Sequence, residues 1–157
     1  MLTLMRNLFA GAAAGAAGTT ALNAITYLDM AVRGRGSSGT PEQTVDTLAG
    51  AVGVDIPGDE ETRGNRLTGL GALSGIVTGV SMGAVLGALR SVGLKPGPLT
   101  GSVLAGGIAM AGANVPMARL GISDPTAWSA QDWAADVVPH LAYGLVTYAT
   151  LRAATAD

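Results

Sequence analysis

Residues 66–90 read RLTGLGALSGIVTGVSMGAVLGALR, and the reading of this stretch decides the fold. Between Arg66 and Arg90 lie 23 residues without a formal charge. A helix of ~20 mainly apolar residues crosses the ~30 Å hydrocarbon layer of a bilayer. A water-facing helix of that length needs a polar stripe every 3.6 residues. Here the only polar side chains before Arg90 are Thr68, Ser74, Thr78 and Ser81. Within the stretch Gly71, Gly75, Gly79, Gly83 and Gly87 recur every fourth residue. In lipid no hydrophobic force drives helices together. They associate by close van der Waals contact and interhelical hydrogen bonds, so small residues mark the contact face. The glycine ladder therefore predicts a tightly packed helix, either inside one bundle or against another copy, and places it at the centre of the bundle.

Three more gaps in the charge pattern extend this reading. Arg6 and Asp29 are separated by 22 uncharged residues, Lys95 and Arg119 by 23, and Asp136 and Arg152 by 15. The sequence thus predicts an all-α polytopic membrane protein, one domain over 1–157, with four transmembrane helices near 5–28, 67–90, 98–120 and 130–152. A soluble Ala/Gly-rich helical protein is the competing reading. A signal peptide cleaved near Ala14–Ala17 competes for the first segment, but the apolar run continues through Leu22, Ile25, Tyr27 and Leu28 and favours a retained helix. Gly11 and Gly15 repeat the small-residue spacing in the first helix, and Gly101, Ala105 and Ala109 repeat it in the third.

The polar loop 29–66 holds a short amphipathic helix. Thr40 is its expected N-cap, with Pro41 at the first turn and Gln43 closing a capping box. Val45, Leu48, Ala49 and Val52 share one face, and Gly53 ends the helix. It is expected on the membrane surface or against the bundle. Asp55 to Glu61 reads as a solvated acidic loop. Ser129 with Asp132 forms a second capping signature. Trp128 and Trp133 suit an interfacial aromatic belt.

Composition narrows function. Of the 157 residues, 13% are charged and 24 are glycine, the net charge is −2, and cysteine is absent. Nothing basic enough for nucleic acid is present. Without cysteine there is no disulfide, thiol nucleophile or thiolate metal site. No phosphate-binding loop, nucleophile elbow or zinc-protease motif occurs, so no enzymatic activity and no cofactor are expected.

An up-and-down bundle gathers Asn23, Asp29, Asn114, Asp132, Asp136 and His140 at one end. Asp132, Asp136 and His140 are spaced i, i+4, i+8 and share a helix face. Pro139 is expected to bend that helix and free a carbonyl near residue 135. A carboxylate one turn before a histidine can orient it and move protons near neutral pH. The same pair can offer two metal ligands, with Asp132 or Asp29 as a third, and the bland reading is a helix cap and a structural hydrogen bond. Arg6, Arg90, Lys95 and Arg152, with only Asp157 as an acid, lie at the opposite end, against five arginines and ten acids at this one. The basic count is nearly tied, but acids weigh little in it and the long first loop dilutes its own arginines, so both termini are expected in the cytoplasm.

The C-terminal part carries Pro116-Met117, Gly121-Ile122-Ser123, Pro125-x-x-Trp128, then Asp136-x-x-x-His140 and Tyr143. Over about 114–145 this resembles the YagU-like family of small bacterial inner-membrane proteins, whose members usually carry Glu in place of Asp136. The resemblance implies an integral inner-membrane protein and directs interest to Asp136 and His140. It implies no reaction. Two functions stay open. One is a structural or interaction protein that packs or self-associates through the ladder, its partners being the bilayer and a homo-oligomer or larger membrane complex. The other is a small transport or proton-responsive protein using the Asp/His pair at the outer face.

Overall fold

The structure is a computed structural model and describes residues 1–155, so Asp157 lies outside the described residues. Five α-helices follow in order, α1 (Leu2–Arg33), α2 (Thr40–Ala51), α3 (Glu60–Ser91), α4 (Pro98–Arg119) and α5 (Ala130–Ala154), with a 3-10 turn at Pro125–Ala127. No strand occurs among the described residues. The four long helices run up and down, with α3 and α5 flanking α1, α4 against α5, and a lighter α3–α4 contact closing the bundle.

Most large apolar side chains lie outside, and the helix contacts inside are made mainly by small or polar residues. Phe9, Val77, Leu99 and Leu145 are 61–79% exposed. The buried positions of α1 are Asn7, Gly11, Ala14, Gly15, Gly18 and Thr19, and those of α4 are Gly101, Ser102, Ala105, Gly106 and Ala109. A water-soluble bundle has the reverse distribution. An apolar exterior of this kind suits a bilayer, and the small residues at the contacts let backbones approach.

Three helices, not four, are long and apolar enough to cross a membrane: α1, α3 and α4. The expected fourth span, 130–152, forms a helix of 25 residues, but it does not meet that measure. Gln131, Asp132, Asp136 and His140 load its first half with polar groups, and Thr147, Thr150 and Arg152 dilute the second.

Helix limits also differ from the charge gaps. α1 runs on through Asp29 to Arg33, which pair one turn apart. It stops where Gly34 takes a left-handed backbone, φ 62°. α3 begins at Glu60, so the acidic segment is not all loop. The Asp59 carboxylate caps the Thr62 N–H at 2.8 Å, and Glu60 and Glu61 occupy the first turn, where a helix dipole favours negative charge.

α2 forms over the predicted stretch, but Gly39 is its N-cap and no side-chain cap bond is made. The hydroxyl of Thr40 instead lies 2.7 Å from that of Ser38. Gly53, at φ 71°, turns the chain, and the Val54 N–H returns to the Ala49 carbonyl at 2.9 Å. α2 lies against α3, where an added Cβ on Gly71 would stand 3.1 Å from the Glu42 nitrogen. α5 begins with the full Ser129–Asp132 capping box and continues as one helix through Pro139.

The most extensive helix pairing is α1 with α3, and the next is α1 with α5. The centre of the bundle is therefore α1 rather than the ladder helix. α1 presents small residues on two sides: Gly11 and Gly15 toward α3, and Gly18 toward Tyr143 and Thr147 of α5.

Candidate functional site

The glycine ladder divides three ways. Gly79, Gly83 and Gly87 face α1. A Cβ on Gly83 would lie 2.5 Å from the Gly15 Cα, and one on Gly87 would strike the Asn7 carbonyl. A Cβ on Gly15 would in turn lie 2.5 Å from the Gly79 carbonyl oxygen. Gly71 faces α2. Gly75 has nothing within 4 Å and is exposed on the outer surface. α4 and α5 meet in the same manner. A Cβ on Gly106 would lie 2.6 Å from the His140 carbonyl oxygen, and one on Gly144 would lie 2.5 Å from the Gly106 nitrogen.

That close approach brings Asn114, Asp136 and His140 together. The Asn114 amide donates to Asp136 Oδ2 at 2.7 Å. His140 Nδ1 lies 2.8 Å from the Asp136 carbonyl oxygen and 3.4 Å from Asp136 Oδ1. A carbonyl can only accept, so Nδ1 carries the proton and the neutral ring keeps Nε2 as its acceptor. The His140 and Asp136 side chains are 12% and 20% exposed, a half-sheltered position at the α5 entry of the bundle.

Asp132 and Asp29 do not join them. Asp132 Oδ2 accepts from the Ser129 N–H at 2.9 Å and the Ser129 hydroxyl at 2.6 Å. Asp29 accepts from Arg35 Nε at 2.5 Å and from Arg33 at 3.3 Å. Both acids are thus held by other groups, and no cluster of three His, Asp or Glu side chains forms among the described residues. Trp128 and Trp133 meet edge to face, centroids 5.0 Å apart, and the Trp128 indole donates to Ser123 Oγ at 3.1 Å.

From His140 the inward face of α5 continues through Tyr143 and Thr147, both fully buried. The Tyr143 hydroxyl donates to the Gly79 carbonyl at 2.6 Å and so ties α5 to α3. Beyond Thr147 the interior turns apolar: Ala14, Leu86, Ala105, Tyr148 and Leu151 pack into one cluster. The polar line therefore ends inside the bundle.

Thr147 was absent from the expected site, as were Arg33 and Arg35, and Tyr143 entered only through the family resemblance. Tyr143 and Thr147 continue the Asp136–His140 face at helical spacing, a signal available in the sequence. The Arg33 and Arg35 pairing with Asp29 follows a helix end and a turn, and carries no such period. Comparisons with family models, curated proteins and solved structures gave no match for this chain.

Proposed function

We propose that the chain is an integral membrane protein of structural or interaction type with no enzymatic activity. The observation that carries this reading is the inverted distribution of side chains: glycine and alanine at the helix contacts, large apolar side chains on the exterior. In this reading α1, α3 and α4 cross the bilayer, and α5 traverses beside them with Val138, Leu141 and Leu145 toward lipid. The end bearing Arg6, Arg90, Lys95 and Arg152 faces the cytoplasm with both termini, since the long loop 29–66 dilutes the arginines of the other end. A bacterial inner membrane accords with the YagU-like resemblance of 114–145. Gly79, Gly83 and Gly87 serve packing within the chain, and the outward Gly75 face is the part of the ladder open to a second copy.

The test is the mass of the protein purified into lipid nanodiscs, wild type beside Gly75→Leu. A wild-type oligomer that Gly75→Leu separates supports an assembly role through that face. A monomer in both removes self-association. Recovery of the protein in the aqueous fraction without detergent overturns the membrane reading itself.

A second reading rests on the Asp136–His140 contact. A sheltered histidine beside a carboxylate is suited to sensing or passing protons. It predicts a pH-dependent flux or response in vesicles that His140→Ala abolishes, and an intact response in that variant removes it. The apolar cluster at Ala14, Leu86 and Leu151 weighs against a through-path, so the structural reading comes first.

A further inference from the structure

The end opposite Asp136 contains a second polar feature. A cavity of about 150 Å³ opens where the start of α1, the end of α3 and the α3–α4 turn converge. One water needs only roughly 10–15 Å³ on this measure. Three cationic side chains line the cavity, Arg6, Arg90 and Lys95, together with Asn7, Ser91 and Thr155. No acidic side chain is among the described residues that line it.

Two of its polar atoms are unusual. Arg90 Nε is buried with no hydrogen-bond partner, and so is Asn7 Oδ1. Two bonds hold the neighbouring groups: the Asn7 amide nitrogen donates to Ser91 Oγ at 3.1 Å, and Ser91 Oγ donates to the Gly87 carbonyl at 3.1 Å. A buried donor on a guanidinium without an acceptor is costly, and an anionic oxygen is its strongest partner. A buried amide oxygen without a donor calls for a hydroxyl or a protonated oxygen. An anion that also carries O–H groups satisfies both. The cavity lies at the end of the long apolar helices, the level at which a bilayer presents its headgroups.

We propose that this cavity binds the phosphate of an anionic phospholipid headgroup, with Arg90 and Lys95 as the principal contacts and Asn7 Oδ1 accepting from a headgroup hydroxyl. The inference rests on the membrane reading above.

The test uses the full chain in nanodiscs of zwitterionic phosphatidylcholine with increasing phosphatidylglycerol, and native mass spectrometry counts the lipids retained. Wild type is expected to retain phosphatidylglycerol in preference to phosphatidylcholine. Arg90→Gln and Lys95→Gln are each expected to weaken that retention about fivefold, while Arg119→Gln, at the far end, leaves it unchanged. Lys95 sits in an exposed turn, so its variant reads binding even if Arg90→Gln disturbs the bundle. A parallel arm adds inorganic phosphate to phosphatidylcholine nanodiscs. Phosphate binding that Lys95→Gln weakens, without any preference for phosphatidylglycerol, overturns the lipid assignment in favour of a free anion. Equal retention of both lipids with no phosphate binding, or retention unaffected by Lys95→Gln, overturns the site. A protein that stays in nanodiscs throughout but shows no preference refutes this inference alone, whereas one that never enters them refutes the membrane reading.

Discussion

Gly11 and Gly83 meet backbone to backbone, and a Cβ built on either would strike the carbonyl oxygen of the other. Neither position can gain a methyl group without moving α1 and α3 apart. The contact is reciprocal, so the two helices are fixed in register as well as in distance. A shift of α3 by one residue would bring Ala84 or Met82 to the place of Gly83.

This relationship gives opposite signs to the same substitution within one ladder. In a helix interior Gly→Ala gains about 1 kcal/mol from propensity alone. At Gly75, where nothing lies within 4 Å of an added Cβ, that gain should stand, and Gly75→Ala should stabilise by up to ~1 kcal/mol. At Gly83 overpacking costs typically ~1–3 kcal/mol and more where the obstacle is backbone, so Gly83→Ala should destabilise. Denaturant unfolding in mixed micelles, followed by far-UV circular dichroism, measures both. Two variants of the same sign would show that the α1–α3 contact does not govern stability.

The Tyr143 hydroxyl joins α5 to the Gly79 carbonyl of α3 inside the bundle. Tyr143→Phe keeps the ring and removes that one bond. A buried hydrogen bond of this kind contributes about 0.5–1.5 kcal/mol, and the same unfolding experiment should show that loss. An unchanged midpoint would mean that the bond contributes nothing net.

Asn114 donates to the Asp136 carboxylate, and Asp136 in turn contacts His140. Hydrogen bonds to charged groups are worth about 1.5–3 kcal/mol. Asn114→Ala should therefore destabilise by that order, and Asp136→Asn, which keeps the shape, by less. A cycle of Asn114→Ala, Asp136→Ala and the double variant should give a coupling of about 0.5–3 kcal/mol. Additive effects would separate the two residues.

α2 rests on α3 through Gly71, with Asp46 paired to Arg63. Gly71→Leu should push α2 away and leave the four long helices intact. Limited proteolysis should then cut within 34–58 faster than in wild type, with helicity outside that segment retained. An unchanged cleavage rate would mean that α2 is held by other contacts.

The four long helices were readable from where charges are missing, although the shortest gap, in α5, did not give a fourth helix apolar enough to cross a membrane, and the glycine spacing announced close contact. Which neighbour each glycine meets was not readable. Gly71, Gly75 and Gly79 look identical along the chain, yet one meets α2, one meets nothing and one meets Thr19. That assignment depends on helix rotation and crossing, which a repeat of four does not encode. The Asn114–Asp136–His140 grouping was partly readable, since helical spacing joins Asp136 to His140 and the up-and-down order brings Asn114 near. Asp132 was placed with them by the same helical spacing, and Asp29 by level alone. Local partners claimed both: the Ser129 cap in one case, Arg33 and Arg35 in the other. The N-terminal extension of α3 went unread because an acidic run resembles a solvated loop until Asp59 is seen as a cap.

Asp59 also carries a pH dependence whose sign is fixed by its contact. The Thr62 side chain and the Thr62 N–H, which donates at 2.8 Å, stabilise its carboxylate and hold its pKa below the ordinary carboxylate value. A depressed folded pKa means that the cap is fully present above the unfolded value and is lost as pH falls through the folded one. Near neutral pH the first turn of α3 should therefore be protected. Below the usual carboxylate range it should fray locally, with the glycine-packed part of the bundle unaffected. Amide hydrogen exchange at Thr62 and Arg63, compared between pH 7 and about pH 3 after correction for intrinsic rates, should show protection falling with acid. Asp59→Ala should show the low-protection behaviour at both pH values, and Asp59→Asn, which can still accept from the Thr62 N–H, should keep protection at both. Protection in wild type that does not change with pH would mean that Glu60, Glu61 and the α2 contact hold the turn without the cap.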